Sequence, residues 1–182
     1  MTAELPYSLT VDGVEYPINT DFRDVFDIFT AFNAPDLSPS NKQFAMLEIL
    51  YGDDIPQNAN EAAKQAVWFL DGGDVIKSET PPPKTMDYEQ DAPLLFSAIN
   101  RVAGYELRDP KIETHWFTFL AFAAEISQDS PISNIVHIRH KYAKGEKLEK
   151  HEWKYYRENK HLIDFKSGAD NYENMMSALR GE

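Results

Sequence analysis

The stretch from Ile112 to Ile126 constrains the fold most, because it is apolar around nearly the whole circumference of a helix. Its main apolar residues recur at helical spacing: Ile112, Trp116, Phe119, Leu120, Ala123 and Ile126, with Phe117, Phe122 and Ala124 widening the face. A helix that is apolar on nearly every side belongs in the middle of a core. It is too short to span a bilayer, and His115 and Thr118 interrupt it. We therefore expect a central helix, with the rest of the chain packed around it.

Two amphipathic helices are predicted after this central helix. Ser130-Pro131 is typical of an N-cap and a first helical turn, and the stripe that follows ends near Gly145. That stripe consists of Ile132, Ile135, Val136, Ile138 and Tyr142. A charged helix is then predicted from Leu148 to Leu162. Because the connection between them is short, we expect both helices to lie antiparallel against the central one.

The first half of the chain predicts one β-hairpin followed by four helices. Asp12-Gly13 favours a type I′ turn within residues 7–17. The predicted helix starts are Thr20, Ser40, Asn60, and either Asp87 or Asp91. The predicted inward residues of the first two helices are Phe22, Val25, Phe26, Phe29, Phe32, Phe44, Met46, Leu47, Leu50 and Tyr51. The fold class is therefore mainly α, a compact helical bundle with an N-terminal β-hairpin.

Residues 1–165 are expected to form a single helical domain with an exposed proline-rich loop at 77–86. The remainder, 166–182, is a polar tail in which Tyr172, Met175, Met176 and Leu179 have helical spacing. A frayed tail and a short docking helix fit this tail equally well. Because the start carries no secretory signal and no transmembrane run is present, we expect a soluble cytoplasmic protein.

Charge is distributed unevenly along the chain. The formal net charge is −12, yet residues 134–161 hold eight basic residues against four glutamates, a net +4, so the rest carries −16. Such an asymmetry favours self-association or docking to a partner. An overall acidic field repels phosphates, which makes nucleic acid an unlikely partner.

No arrangement of residues predicts catalysis or a cofactor. His137 and His140 share a helix face and lie near His151 and Glu152 in the sequence; with His115 they could be built into a zinc site. Nearby lysines disfavour a cation there, so we expect no metal. The acidic pairs Asp53-Asp54 and Glu89/Asp91 are explained by turns and helix starts. The chain has no cysteine, no phosphate loop and no nucleophile motif.

The charged helix supplies the candidate partner-binding residues. Trp153 lies among charged residues, so it is the tryptophan best placed to contact a partner, whereas Trp116 is predicted to be core. The predicted partner-binding set is Trp153, Lys150, Lys154, Tyr156 and Arg157. The alternative is a solvated helix whose aromatic residues, Trp153 included, belong to the core.

Several segments, taken together, resemble one family. They are Ile18–Arg23 (INTDFR), Asp87–Pro93 (DYEQDAP), His115–Leu120 (HWFTFL), Ile138–Lys150 (IRHKYAKGEKLEK) and Tyr156–Phe165 (YRENKHLIDF). In this order they resemble the bacteriophage gene-product-fifteen family of long-tailed phages and prophages of Gram-positive hosts. The departures are small, at Gly104-Tyr-Glu-Leu and at His140.

The resemblance implies a role in tail morphogenesis. Members are encoded between the major tail protein and the tape-measure protein, a position associated with tail-assembly chaperones. It implies the tape-measure protein as a partner and brings no catalytic residues. A structural tail or connector component retained in the virion is the alternative, and a nucleic-acid-binding regulator is a third, weaker one.

Overall fold

Two strands and eight helices make up the part of the chain that the computed structural model describes, which is residues 4–74, 83–166 and 179. The elements are β1 (Ser8–Val11), β2 (Val14–Pro17), α1 (Phe22–Asn33), α2 (Pro39–Tyr51), α3 (Ala59–Leu70), α4 (Ala92–Ala103), α5 (Trp116–Ala124), α6 (Pro131–Ala143), α7 (Lys150–Glu158) and α8 (Lys160–Ile163). The predicted fold class, mainly α with an N-terminal hairpin, is confirmed. Among the described helices, none combines the length and the apolar character needed to cross a membrane.

The hairpin has the predicted turn. Asp12 and Gly13 both take positive φ angles, 51° and 81°, as a type I′ turn requires. Val11 pairs with Val14 beside the turn, and the strands run antiparallel. Leu9 and Val11 are buried, and β1 packs against α3. An isolated hairpin is only marginally stable, so this packing is what supports it.

Helix starts differ from the predictions by one or two residues, because other side chains supply the caps. The N-caps of α1, α2 and α3 are Asp21, Ser38 and Asn58, where Thr20, Ser40 and Asn60 were expected as the starts. Each cap accepts a hydrogen bond from a backbone N–H of the first turn. The predicted cap at Ser130 is confirmed, and α4 begins after Asp91.

The predicted central helix is shorter and less buried than expected. α5 begins at Trp116 rather than Ile112, because His115 is its N-cap and Nδ1 of His115 accepts a hydrogen bond from Phe117 N at 3.0 Å. Asp21 and His115 form an isolated antiparallel bridge, which holds the preceding segment extended. Ala121 and Ala124 are exposed, so the expectation of burial on nearly every side is wrong.

The first core, as we call the larger cluster of buried apolar residues, is built mainly from aromatic rings of α1, α3, α4 and α5. Its largest fully buried aromatic side chains are Trp116, Phe22, Phe29, Phe32, Phe69 and Phe119. Trp116 is 1% exposed, and its Nε1 donates to the Leu70 carbonyl at 3.0 Å. Its ring stacks on Phe119 with centroids 5.3 Å apart. The predicted core position of Trp116 is therefore confirmed.

A separate second core lies between α6, α8 and the start of α4. Its buried residues are Ile135, Ile138, Leu148 and Ile163, with Leu94, Tyr155, Tyr156 and Leu162 packed around them. α6 packs against α4 and α8, whereas α5 belongs to the first core. The expected packing of α6 and α7 against α5 is therefore wrong. Residues 112–165 are divided between the two cores.

The charged helix predicted from Leu148 to Leu162 is two helices. α7 ends at Glu158 and α8 begins at Lys160, because Asn159 leaves the helical region with φ −121° and ψ 22°. The Asn159 side chain donates to the Tyr155 carbonyl at 3.0 Å. A short amide that bonds to nearby backbone competes in this way with the helix ladder.

Parts of the predicted loop and tail lie outside the described residues. Within the proline-rich segment 77–86, residues 83–86 are described and are half-buried, and Met86 packs against the first core. In the tail, Tyr172, Met175 and Met176 lie outside the described residues. Leu179 is helical, half-buried and packed against the first core.

Candidate partner-binding surface

α7 carries most of the predicted partner-binding residues on one exposed face. Lys150, Trp153, Lys154 and Arg157 follow helical spacing and are all exposed, while Tyr156 is half-buried. Trp153 is 45% exposed. The alternative in which Trp153 is an ordinary core residue is therefore wrong.

Trp153 lies in a cluster of three aromatic rings, which we call the aromatic ledge: Tyr142, Trp153 and Tyr156. Trp153 packs edge-to-face on Tyr142 and Tyr156, with centroids 6.3 and 5.7 Å apart, and the two tyrosine rings are 5.3 Å apart. Tyr142 was predicted to belong to an inward stripe, but it is exposed at the end of α6. The ledge therefore joins the last turn of α6 to the middle of α7.

An open groove of about 440 Å³, the ledge groove, adjoins the aromatic ledge. It is lined by Lys84, Arg139, Tyr142, Ala143, Tyr156, Ile163, Asp164 and Phe165. Tyr142 and Tyr156 belong to both the ledge and the groove. The two features therefore form one continuous surface, in which aromatic and aliphatic side chains share the lining with Lys84, Arg139 and Asp164.

A hydrogen bond fixes the wall of the groove that Tyr156 forms. The Tyr156 hydroxyl donates to Asp164 Oδ1 at 3.0 Å. Partial burial, together with this bond to a carboxylate, raises the pKa of Tyr156 to about 12. The phenol is consequently neutral at any physiological pH, and its ring is held in one position.

α7 is attached to α6 through Glu152, the residue next to Trp153. The Glu152 carboxylate accepts from Lys141 Nζ at 2.7 and 2.8 Å and from the Glu149 backbone N–H at 2.6 Å. His137 Nε2 lies 2.8 Å from the same carboxylate. The Lys141 hydrogen bond, the Glu149 N–H and His137 lower the pKa of Glu152 to about 2. This network positions the ledge without using its aromatic rings.

A buried ion pair beneath the groove was not predicted from the sequence. The guanidinium of Arg139 donates to both carboxylate oxygens of Asp91, at 2.5 and 3.0 Å, and the two side chains are 3% and 2% exposed. Arg139 also donates to the backbone carbonyls of Thr85, Leu162 and Ile163. Its guanidinium lies 4.1 Å from the centre of the Phe165 ring. Arg139 thus joins α6 to the start of α4, to α8 and to residue 85.

Only some of the basic side chains in residues 134–161 are exposed and unpaired among the described residues. Arg139 and Lys141 are held in ion pairs with Asp91 and Glu152, both largely removed from solvent. Lys154 and Lys160 each have a carboxylate four residues later within 4.0 Å. Among the described residues, the remaining four form no ion pair and are exposed; they are Lys144, Lys147, Lys150 and Arg157. We call these four the basic rim.

The histidines do not assemble into a metal site within the described part of the chain. His137 bonds to Glu152, which Lys141 already neutralises, and His151 lies 3.4 Å from Glu149. His115 is buried against Phe69 of the first core, and its Nε2 is 2.9 Å from the Pro6 carbonyl. Across residues 4–74 and 83–166, no three His, Asp or Glu side chains converge to hold a metal ion.

The acidic pairs have separate structural roles. Asp53 and Asp54 are exposed in the connection after α2. Glu89 is exposed, whereas Asp91 is buried against Arg139. The interpretation of Asp91 as a helix start is right in position but incomplete, because its carboxylate forms the ion pair instead of capping α4.

The segments that carry the family resemblance contact one another in space. The Phe22 N–H donates to the Thr114 carbonyl at 3.0 Å, and the Trp116 N–H donates to the Thr20 carbonyl at 2.7 Å. The side chain of Gln90 donates to the Leu162 carbonyl at 3.1 Å. With the Asp91–Arg139 pair, these bonds join the five segments in two groups, residues 18–23 with 115–120, and residues 87–93 with 138–150 and 156–165. Much of the resemblance therefore lies in residues that stabilise the fold.

Comparison with known proteins gives one family. The sequence model described as Bacteriophage Gp15 protein matches residues 1–165, which include both cores and the aromatic ledge. No curated protein and no solved structure matches the chain. Because the match spans most of the chain and agrees with the segments quoted above, this protein belongs to the Gp15 protein family of bacteriophages.

Proposed function

We propose that this phage protein is a tail-assembly chaperone, which binds the tape-measure protein and keeps it soluble until the tail tube forms around it. Family membership supports a role in the phage. The observation that carries the binding proposal is the aromatic ledge, where Trp153 and two tyrosines stand at the surface beside an apolar groove. The proposed activity is binding, without catalysis.

The ledge has the chemistry of a protein-binding site. Tryptophan, tyrosine and arginine are enriched among the residues that dominate binding energies. Large apolar side chains at a surface cost solubility unless a partner covers them. A tape measure is a long helical protein with apolar stripes, and such stripes bind as helices in grooves. The ledge groove offers a surface of this type.

The partner site lies on a supported scaffold. Glu152 ties α7 to α6, and Arg139 ties α6 and α8 to α4, so the rings are presented on elements held by buried polar contacts. A preorganised surface loses less conformational entropy on binding than a mobile one. The three charged residues of the predicted set, Lys150, Lys154 and Arg157, lie on the same helix as Trp153 and would contact the edge of the partner.

Several copies of the chaperone would be needed to cover one tape measure, so we propose that the protein also self-associates. The excess negative charge outside residues 134–161 would keep such a complex soluble. Assembly of this kind takes place in the cytoplasm of the host cell. Sedimentation of the protein alone measures the number of copies that self-associate. Sedimentation with the tape measure measures the number of copies bound to each tape-measure chain.

Co-expression with the tape-measure protein of the same phage tests the proposal. The tape measure is expected to remain soluble and to co-purify with this protein, and to precipitate when expressed alone. Trp153→Ala is expected to abolish co-purification, and Phe44→Ala is the matched control, since Phe44 is an equally exposed aromatic residue on α2. A tape measure that is insoluble with and without this protein contradicts the chaperone function.

A structural tail component is the second candidate, and the hairpin favours it. β2 pairs only with β1 in the described part of the chain, and Val14 at its start is 54% exposed. A free strand edge can add a strand from a neighbouring subunit. Mass spectrometry of purified virions separates the candidates: a structural component is present in fixed copy number, and a chaperone is absent.

A further inference from the structure

We infer that the aromatic ledge and the ledge groove bind an acidic amphipathic helix, whose apolar stripe covers the rings and whose flanking Asp or Glu side chains meet the basic rim. This inference rests on the proposed function for the location of the site and adds the chemistry of the segment that is bound. The occupant is a helix of a partner protein.

The surface offers apolar area for more than one side chain of a partner. The ledge supplies three rings whose centroids lie 5.3 to 6.3 Å apart. Rings at these distances are in contact with one another, so the ledge is a single packed patch of aromatic surface. Beyond the rings, Ala143, Ile163 and Phe165 continue the apolar lining into the groove. Two or three consecutive apolar positions of a helix stripe can therefore be covered at once.

The charges inside the groove are already neutralised. Lys84 pairs with Asp87 at 3.1 Å, and Arg139 pairs with Asp91. Asp164, the carboxylate that lines the groove, accepts from the Tyr156 hydroxyl and lies 3.8 Å from Lys160 Nζ. A ligand in the groove consequently meets no unpaired carboxylate or ammonium there, and an apolar stripe is the chemistry that fits.

The charge that selects the partner lies outside the groove, in the basic rim. Lys150 and Arg157 flank Trp153 along α7, and Lys144 follows the groove residue Ala143 in the chain. Because these groups are exposed and form no ion pair with another described residue, they are free to meet carboxylates of a partner. Complementary rim charges raise the association rate and fix the orientation of the bound helix.

The same observations disfavour nucleic acid at this surface. Glu149, the N-cap of α7, and Glu158 at its end are exposed among the basic residues, and the whole chain carries −12. A polyphosphate would be repelled by both, whereas a helix can place its carboxylates only opposite the basic rim. A second copy of this chain is the other occupant, and the experiment below separates it.

Three labelled peptides test the inference. They share one helical leucine stripe and differ only in the flanking residues, which are Glu, Gln or Lys, and binding is measured by fluorescence anisotropy. We expect the Glu peptide to bind on the order of tenfold more tightly than the Lys peptide, and the difference to shrink as salt is raised. Trp153→Ala is expected to abolish binding of all three.

Reversing two charges of the basic rim tests whether the rim selects the flanking residues of the peptide. The double variant Lys150→Glu/Arg157→Glu is expected to reverse the order of the Glu and Lys peptides, while Lys111→Glu, an exposed lysine on the loop before α5, leaves it unchanged. Equal binding of the Glu and Lys peptides overturns the inference. So does a homo-oligomer that the double variant dissociates while the peptide order is unchanged, because the occupant is then a second copy.

Failure here and failure of the proposed function are distinguishable. If the tape measure co-purifies but the peptides show no preference for acidic flanks, the chaperone function stands and the acidic-helix inference is wrong. If the acidic peptide is preferred but the tape measure neither binds nor becomes more soluble, the surface does bind acidic amphipathic helices. The tape measure is then the wrong partner.

Discussion

The two cores of this protein are stabilised in different ways. The first core buries many large aromatic side chains, with Trp116 at 1% exposure among them. The second core buries four aliphatic residues, and polar networks around Arg139 and Glu152 supplement them. A small apolar cluster contributes little hydrophobic free energy, so the loss of one partner from a buried ionic contact should weaken the second region strongly. That region also carries the aromatic ledge.

Two arginines make the contrast concrete. Arg23 in α1 donates to Asp21 and to the carbonyls of Leu107, Asp109 and Ile112, with its side chain 35% exposed. Arg139 makes a similar set of bonds while only 3% exposed. Solvent can replace the partners of Arg23 but not those of Arg139. A comparable hydrogen-bond pattern therefore has a larger energetic consequence in the second core.

The largest expected effect is in the first core. Trp116→Ala removes a buried ring and the hydrogen bond to Leu70, and we expect a loss of about 3–5 kcal/mol in the free energy of unfolding. Urea denaturation followed by circular dichroism measures it. A loss below about 1 kcal/mol would show that the first core is not where the stability resides.

Breaking the ion pair is expected to affect mainly the second core. Arg139→Met leaves the Asp91 carboxylate buried without its partner, at a cost of about 3 kcal/mol. The double variant Arg139→Met/Asp91→Leu is expected to regain most of that loss, because no buried charge remains. Relative to the unmutated protein, Arg139→Met should accelerate amide hydrogen exchange more in α6 and α8 than in α1. Equal acceleration in both regions would contradict the separation of the cores.

Acid is expected to weaken the second core through Glu152. Its pKa is lowered from 4.5 to about 2 in the folded protein, so its stabilising effect is complete above pH 4.5 and is lost as pH falls towards 2. Glu152→Gln should flatten the dependence of stability on pH in this window. Glu106→Gln is the control, since Glu106 also has a pKa of about 2 but forms an exposed pair with Arg108, a type of pair that contributes little.

The smallest expected effect on stability is at the ledge. Trp153→Ala removes an exposed ring with two edge-to-face contacts, and we expect a loss below about 1 kcal/mol. Thermal melting beside Trp116→Ala gives the contrast directly. If Trp153→Ala destabilises as much as Trp116→Ala, Trp153 is structural and the ledge is not a free surface.

Local patterns predicted the elements of this fold well. The positive φ of Asp12 and Gly13 follows from the Asp-Gly pair, and Ser130 caps α6 as its type and position indicate. The apolar period of α1 placed Phe22 and Phe29 in the core. These features depend on neighbours within a few residues, which a single sequence displays.

Long-range pairing is what the sequence alone did not reveal. Arg139 and Asp91 are 48 residues apart in the chain, and nothing in either local pattern shows that they meet. The exposure of Phe44 and Tyr142 likewise depends on which helices pack beside them. The signal that was present is the occurrence of Asp91 and Arg139 in two of the segments that resemble the family.

The exposure of Trp153 is the feature of this surface that the sequence indicated correctly. A tryptophan among charged residues on a helix is costly to bury, because its neighbours would be buried with it. The ledge partners were only partly foreseen, since Tyr156 was predicted to contact a partner and Tyr142 was predicted to face inward. The ledge groove depends on α8 and Phe165, whose placement follows from the helix break at Asn159.

The central claim is that Trp153 serves binding and Trp116 serves folding. Co-expression of the tape measure with Trp153→Ala, together with a melting curve of the variant alone, tests it most directly. We expect the variant to melt within a few degrees of the unmutated protein and to lose the tape measure, a binding loss of about 2 kcal/mol or more. Full retention of the tape measure by a normally folded Trp153→Ala variant would contradict the claim.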